Sequence, residues 1–186
     1  DLGFDPKSED YLLVATAGGA ITLWSLDGKF SPSATKKPTQ LTEFAKQGSG
    51  LCACRFVDSM PGTFVTASDR HGVPRVWNVS NSNPQHAIKM DQGAVSSVAV
   101  ARGAKSAGRI VVSFRSGEVA VVDVKARRQR WRSAGGHTET VFDCCFAPDD
   151  PNKVVTCSYD GTVRCWDARS GTCEKIFYTA DARMRG

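Results

Sequence analysis

Four times along the chain, a short run of alternating apolar and polar residues leads through a tight turn into a second such run. The clearest case is residues 153–167, KVVTCSYDGTVRCWD, where two runs flank the turn Asp160-Gly161. A period of two, filled with β-branched residues and bounded by Gly or Asp, marks a strand with one buried face. The same pairing recurs at 109–114 with 118–123, at 63–68 with 73–78, and at 11–16 with 20–25. A further strand is predicted before each pair, at 51–56, 95–101 and 141–147, with only Leu2-Gly3-Phe4 ahead of the first. Another is predicted after each pair, near 40–45, 85–90, 128–134 and 172–178. The pattern therefore predicts an all-β chain of four antiparallel meanders, each of four strands. No stretch carries the helical period over a useful length.

The repeat sets the division of the chain. The third strands end at Trp24, Trp77, Val122 and Trp166, which lie 53, 45 and 44 residues apart. Units are expected at 1–47, 48–92, 93–135 and 136–180. The longer first interval is explained by residues 27–40, DGKFSPSATKKPTQ, which have no periodicity and read as a solvated loop inserted within the first unit. Residues 101–108 read as a shorter loop of the same kind.

The last unit carries a sharper signature. It opens on Gly136-His137, turns at Tyr159-Asp160-Gly161 and closes on Trp166-Asp167. In this it resembles the WD-repeat family, whose repeats of roughly 40–45 residues each build one blade of a β-propeller. The resemblance implies a buried hydrogen-bonded tetrad of His137, Ser158, Asp160 and Trp166 in the fourth blade. Blade three has Val122 for the Trp, blade two lacks a Gly-His, and blade one has Gly18-Gly19 in place of the turn Asp. The tetrad is therefore expected only in blade four. Partner contact in the family tends to use the narrower top face, which here implies Thr138, Thr140 and Tyr159.

Four blades leave two blade faces uncovered, and residues 180–186 (ADARMRG) have no strand pattern to complete the first blade. The expectation is an arc of a larger propeller of about seven blades, with further blades of the same chain. The start at Asp1 rather than Met points the same way. The function implied is a non-catalytic scaffold for protein–protein interactions within a multiprotein assembly.

Composition adds little to the fold and more to the environment. Hydrophobic residues make up 41% and charged residues 23%, ordinary for a globular chain. No apolar run approaches the ~18 residues of a membrane span, and the N-terminal residues lack a secretory pattern. Seven cysteines, an odd number without a scaffold spacing, fit free thiols in a reducing compartment: cytoplasm first, nucleus second.

Three constellations raise other chemistry. Ser158, His137 and Asp160 spell a hydrolase triad, but Ser158 falls inside a strand and no G-x-S-x-G elbow occurs. Cys144, Cys157 and Cys165 lie on successive strands, without the paired spacing of a structural zinc site, and read as core residues. No metal, cofactor or catalytic residue is expected. Arg128, Arg130 and Arg132 share one face of a predicted edge strand, with Trp131 on the other. As structure, they keep an edge soluble. As function, they form a basic patch for nucleic acid or another acidic surface.

Overall fold

The computed structural model describes residues 1–7, 10–26, 38–45, 50–70, 72–90, 93–103, 108–133 and 135–179. Most of the expected 27–40 loop, the centre of the 101–108 loop and residues 180–186 lie outside them. Sixteen strands form four separate four-stranded sheets among the described residues. Blade one holds β1 (Leu2–Phe4), β2 (Tyr11–Ala15), β3 (Ile21–Ser25) and β4 (Thr39–Phe44). Blade two holds β5 (Leu51–Phe56), β6 (Thr63–Ser68), β7 (Arg75–Asn78) and β8 (Asn81–Ala87). Blade three holds β9 (Val95–Val100), β10 (Arg109–Phe114), β11 (Val119–Asp123) and β12 (Arg128–Arg132). Blade four holds β13 (Val141–Phe146), β14 (Lys153–Ser158), β15 (Thr162–Asp167) and β16 (Cys173–Tyr178). Every sheet is an antiparallel meander with strands in chain order.

One strand departs clearly from its predicted place. β8 begins at Asn81, well before the residue 85 that the pattern suggests. Asn78 pairs directly with Asn81, and the Asn78 side chain accepts the Ser80 N–H at 3.0 Å, so the link is a tight turn. Pro84 is tolerated because β8 is an outer strand, where a missing N–H costs no ladder bond.

The hydrophobic core lies between blades. Phe44, Phe56, Phe64 and Trp77 join blades one and two, with Phe64 stacked on Trp77 and Phe44 edge-on to both. Val65, Val76, Ile110, Val112 and Phe114 help join blades two and three. Val111, Val119 and Val121 of blade three meet Val141, Phe146, Val154 and Trp166 of blade four. A blade is thus stable chiefly through its neighbours, as in other repeat architectures.

Candidate functional site

In blade four the register decides which polar groups can meet. Trp166 lies opposite Val154, which makes Thr156 its diagonal neighbour on the same face. Ser158 is two residues further along, roughly 7 Å at the rise of a strand, and pairs beside Val141. The expected membership of Ser158 in the buried tetrad is therefore corrected. The Trp166 indole N–H donates to Thr156 Oγ1 at 2.9 Å, and the Thr156 hydroxyl donates to His137 Nε2 at 2.7 Å. His137 Nδ1–H then donates to Asp160 Oδ2 at 2.9 Å. A hydroxyl already accepting from Trp166 has its proton for the imidazole, which fixes the neutral tautomer of His137 through the network.

Asp160 ends the chain as an acceptor. It also receives the Thr162 hydroxyl at 2.6 Å, the Thr162 N–H at 2.9 Å and the Thr138 N–H at 3.2 Å. Burial pushes its pKa up, but the hydrogen bonds from Thr162, His137 and the two backbone amides outweigh this and bring it down to about 2. Burial also lowers the His137 pKa, against the opposing pull of Asp160, so the ring is held neutral.

Ser158 serves the turn instead. Its hydroxyl donates to the Glu139 carbonyl at 3.0 Å and accepts the Asp160 N–H at 3.2 Å. It makes no bond to His137, whose Nε2 is taken by Thr156, so the three residues that spell a hydrolase triad do not form one. Blade two repeats half of the device: Trp77 donates to Thr66 at 2.9 Å, while Arg70 stands where Asp160 would. In blade one Val14 replaces the threonine, and Trp24 turns to Thr22 on its own strand at 2.9 Å.

The three rim residues are separated. Thr140 and Tyr159 help line a cleft of about 340 Å³ at the junction of blades two, three and four. Thr138 is exposed outside that lining, with its backbone tied to Asp160. Tyr159 is 69% exposed and packs on Phe142, itself 47% exposed, with ring centroids 3.8 Å apart. Regular alternation in the sequence gives no cue to Phe142. A bulge in the β13–β14 pairing skips this residue.

The basic strand is largely neutralised. Arg130 pairs with Asp123 at 2.8 Å, and Arg132 is held by Glu118 and lies over the Phe114 ring at 4.7 Å. Arg128 is exposed at the strand's start. A bulge at Arg130 also breaks the expected alternation. Trp131 is turned toward blade four, its indole N–H donating to the Ala168 carbonyl at 2.8 Å.

The seven cysteines are all free. Cys144 faces blade three, where burial pushes its thiol up to about 12. By strand alternation Cys157 and Cys165 face away from blade three, so the three do not converge.

Four antiparallel four-stranded sheets joined face to face define the chain as a run of β-propeller blades. Residues 129–167, which hold the hydrogen-bonded chain from His137 to Trp166, match the family described as "WD domain, G-beta repeat". The match spans the end of blade three and blade four up to Asp167. The chain is 47% identical over 38 residues to the WD40 repeat-containing protein smu1 of Dictyostelium discoideum, a match covering 20% of this chain and 7% of the relative. It is 50% identical over 38 residues to THO complex subunit 3 of Arabidopsis thaliana, covering 20% of this chain and 12% of the relative. A longer match, 26% identical over 194 aligned positions, covers 91% of the chain and 39% of the ribosome biogenesis protein YTM1 of Pyricularia oryzae. The chain thus spans well under half the length of these relatives.

Proposed function

We propose that the chain is a non-catalytic scaffold, an arc of a larger propeller of about seven blades that holds other proteins within an assembly. The observation that supports this best is the exposed Phe142–Tyr159 pair at the mouth of the cleft. Large aromatics are enriched where proteins meet, and here Phe142 stands on β13 and Tyr159 on the turn just after β14. One relative is itself named as a complex subunit. The polar groups that could serve chemistry, His137, Asp160 and Ser158, are occupied by structural bonds. Within the family, residues 73–168 resemble WD repeat-containing protein 17, most clearly from Gly136 onward. Seven free thiols favour the cytoplasm or the nucleus.

The test is position-resolved crosslinking. A photo-crosslinking side chain placed at Thr138, on the loop side of blade four, is expected to capture specific proteins. The same group at Arg169, on the turn at the opposite end of the strands, is expected to capture different ones or none. Identical capture from both positions would sink the assignment to the top face. If the captured partner were instead nucleic acid, lost on replacing Arg128, Arg130 and Arg132 by Ala, the basic-strand reading would take its place.

A further inference from the structure

The cleft beside Tyr159 is built by three bulges. In each of β5, β9 and β13 one residue is skipped in pairing with the second strand: Cys52, Ser96 and Phe142. A bulge re-aims the side chain it frees, and all three line the same cleft, with Thr140, Tyr159 and Arg115. Arg115 occupies in blade three the position that Tyr159 holds in blade four, just ahead of the turn.

Arg115 is the one charged side chain among the lining residues. Asp69 stands behind it, outside the lining, and accepts from Arg115 Nη2 at 3.1 Å. That bond orients the guanidinium, whose five donors form a fork suited to a carboxylate, and the side chain is still 60% exposed. The neighbouring Cys52 thiol adds no negative charge, because burial pushes it up to about 11. On the other side stands the Phe142–Tyr159 pair. The cleft thus offers an apolar wall and a single positioned cation. Its volume is at the small end of ligand sites and suits one or two side chains. One cation is too little for a polyanion such as nucleic acid, which is held by many phosphate contacts.

We propose that this cleft binds a linear segment of a partner protein, seating an apolar side chain against Phe142 and Tyr159 and an adjacent carboxylate on Arg115. The proposal rests on the scaffold reading of the same face and adds the chemistry of the partner.

The experiment measures binding of the whole chain to short acetylated and amidated peptides by fluorescence anisotropy. One carries leucine followed by aspartate, and its control carries asparagine in place of the aspartate. The aspartate peptide should bind about tenfold tighter than its control. Arg115→Met should erase that preference, and because Arg115 is an exposed pair member the fold should persist. Replacing both Phe142 and Tyr159 by Ala should weaken both peptides alike. Absence of peptide binding, or a preference that survives Arg115→Met, would overturn the proposal. Proteins crosslinked at Thr138 separate the two readings. Capture that is unchanged in Arg115→Met would overturn the carboxylate site while sparing the scaffold, and capture lost in that variant would support the site.

Discussion

At the scale of single residues, Thr156 links the two halves of the buried network in blade four. It accepts from Trp166 and donates to His137, so its loss leaves two buried polar groups unpaired. Each such group costs about 1–3 kcal/mol. Thr156→Val, which keeps the shape, is expected to destabilise the chain by about 3 kcal/mol. Ser158→Ala loses two bonds, but both are only partly buried and their partners can turn to water, so it should cost only about 1 kcal/mol. Urea denaturation orders the two, and a larger loss for Ser158→Ala would restore it to the tetrad. The same network sets the response to acid. His137 has its folded pKa lowered, so protonation favours the unfolded chain, and stability is full above about pH 6.5 and declines below it. Asp160 is depressed from the usual 3.8 to about 2, so its contribution is present above that ordinary value and is lost as the pH falls toward 2. That second loss amounts to about 2 kcal/mol. Denaturation midpoints from neutral pH downward should fall in two stages. Asp160→Asn should shrink the lower one, to which Glu118 and Asp123, also held below the usual carboxylate range, contribute the rest, and a midpoint independent of pH would refute the assignment.

At the scale of elements, the bulk of the strand pattern could be read directly, because alternation and Gly or Asp turns mark both faces and ends. β8 starts earlier than alternation indicates because Asn81, Ser82, Asn83 and Pro84 resemble a loop, and only pairing with β7 makes them a strand. Thr156 is hidden in the sequence for a related reason. Motif spacing places a hydroxyl residue near the end of β14, but only a count of register back from the turn shows which hydroxyl lies diagonal to Trp166. The bulges left no local mark at all, so Phe142 and Cys52 emerged only with the structure. Elements also lock to each other in ways that sequence does not announce. The β15–β16 turn clasps Trp131 of blade three through the Ala168 carbonyl, and Gly171 in that turn lies against the indole. A Cβ at Gly171 would come within 2.8 Å of the ring, and its φ is +77°, whereas Gly135, at φ +72°, faces open space. Gly135→Ala should therefore cost about 1 kcal/mol, for the backbone alone. Gly171→Ala should cost a further 1–3 kcal/mol, roughly, and should shift Trp131 fluorescence. Equal costs would show that the clasp carries no weight between blades.

At the scale of the whole molecule, each blade presents two unlike faces, and the equivalent faces of blades three and four can be compared row by row. On blade three, Val111, Val119 and Val121 are fully buried beneath blade four. The matching positions on blade four are Val155, Val163 and Cys165, with Cys157 and Phe177 on either side of Val163. These residues are half-buried or exposed, and Phe177 is 55% exposed. An apolar sheet face of this kind, continuous across three strands, is the sort of surface that proteins normally cover. The chain on its own should therefore bind an environment-sensitive hydrophobic dye while remaining folded. A variant carrying Val163→Lys and Phe177→Lys should lose blade four's share of that binding, leaving the share owed to Leu2 and Phe4 of blade one, which are also exposed. Its inter-blade cores should be intact, because neither residue faces blade three. The control is Tyr159→Ser, which removes an exposed aromatic from the cleft rim and should leave dye binding nearly unchanged. If the rim variant lost the dye and the double lysine variant kept it, the apolar surface would lie at the cleft and the outer face of blade four would need no cover. The opposite result would place the two surfaces in different roles: the rim for recognition by single side chains, and the blade face for packing against another sheet.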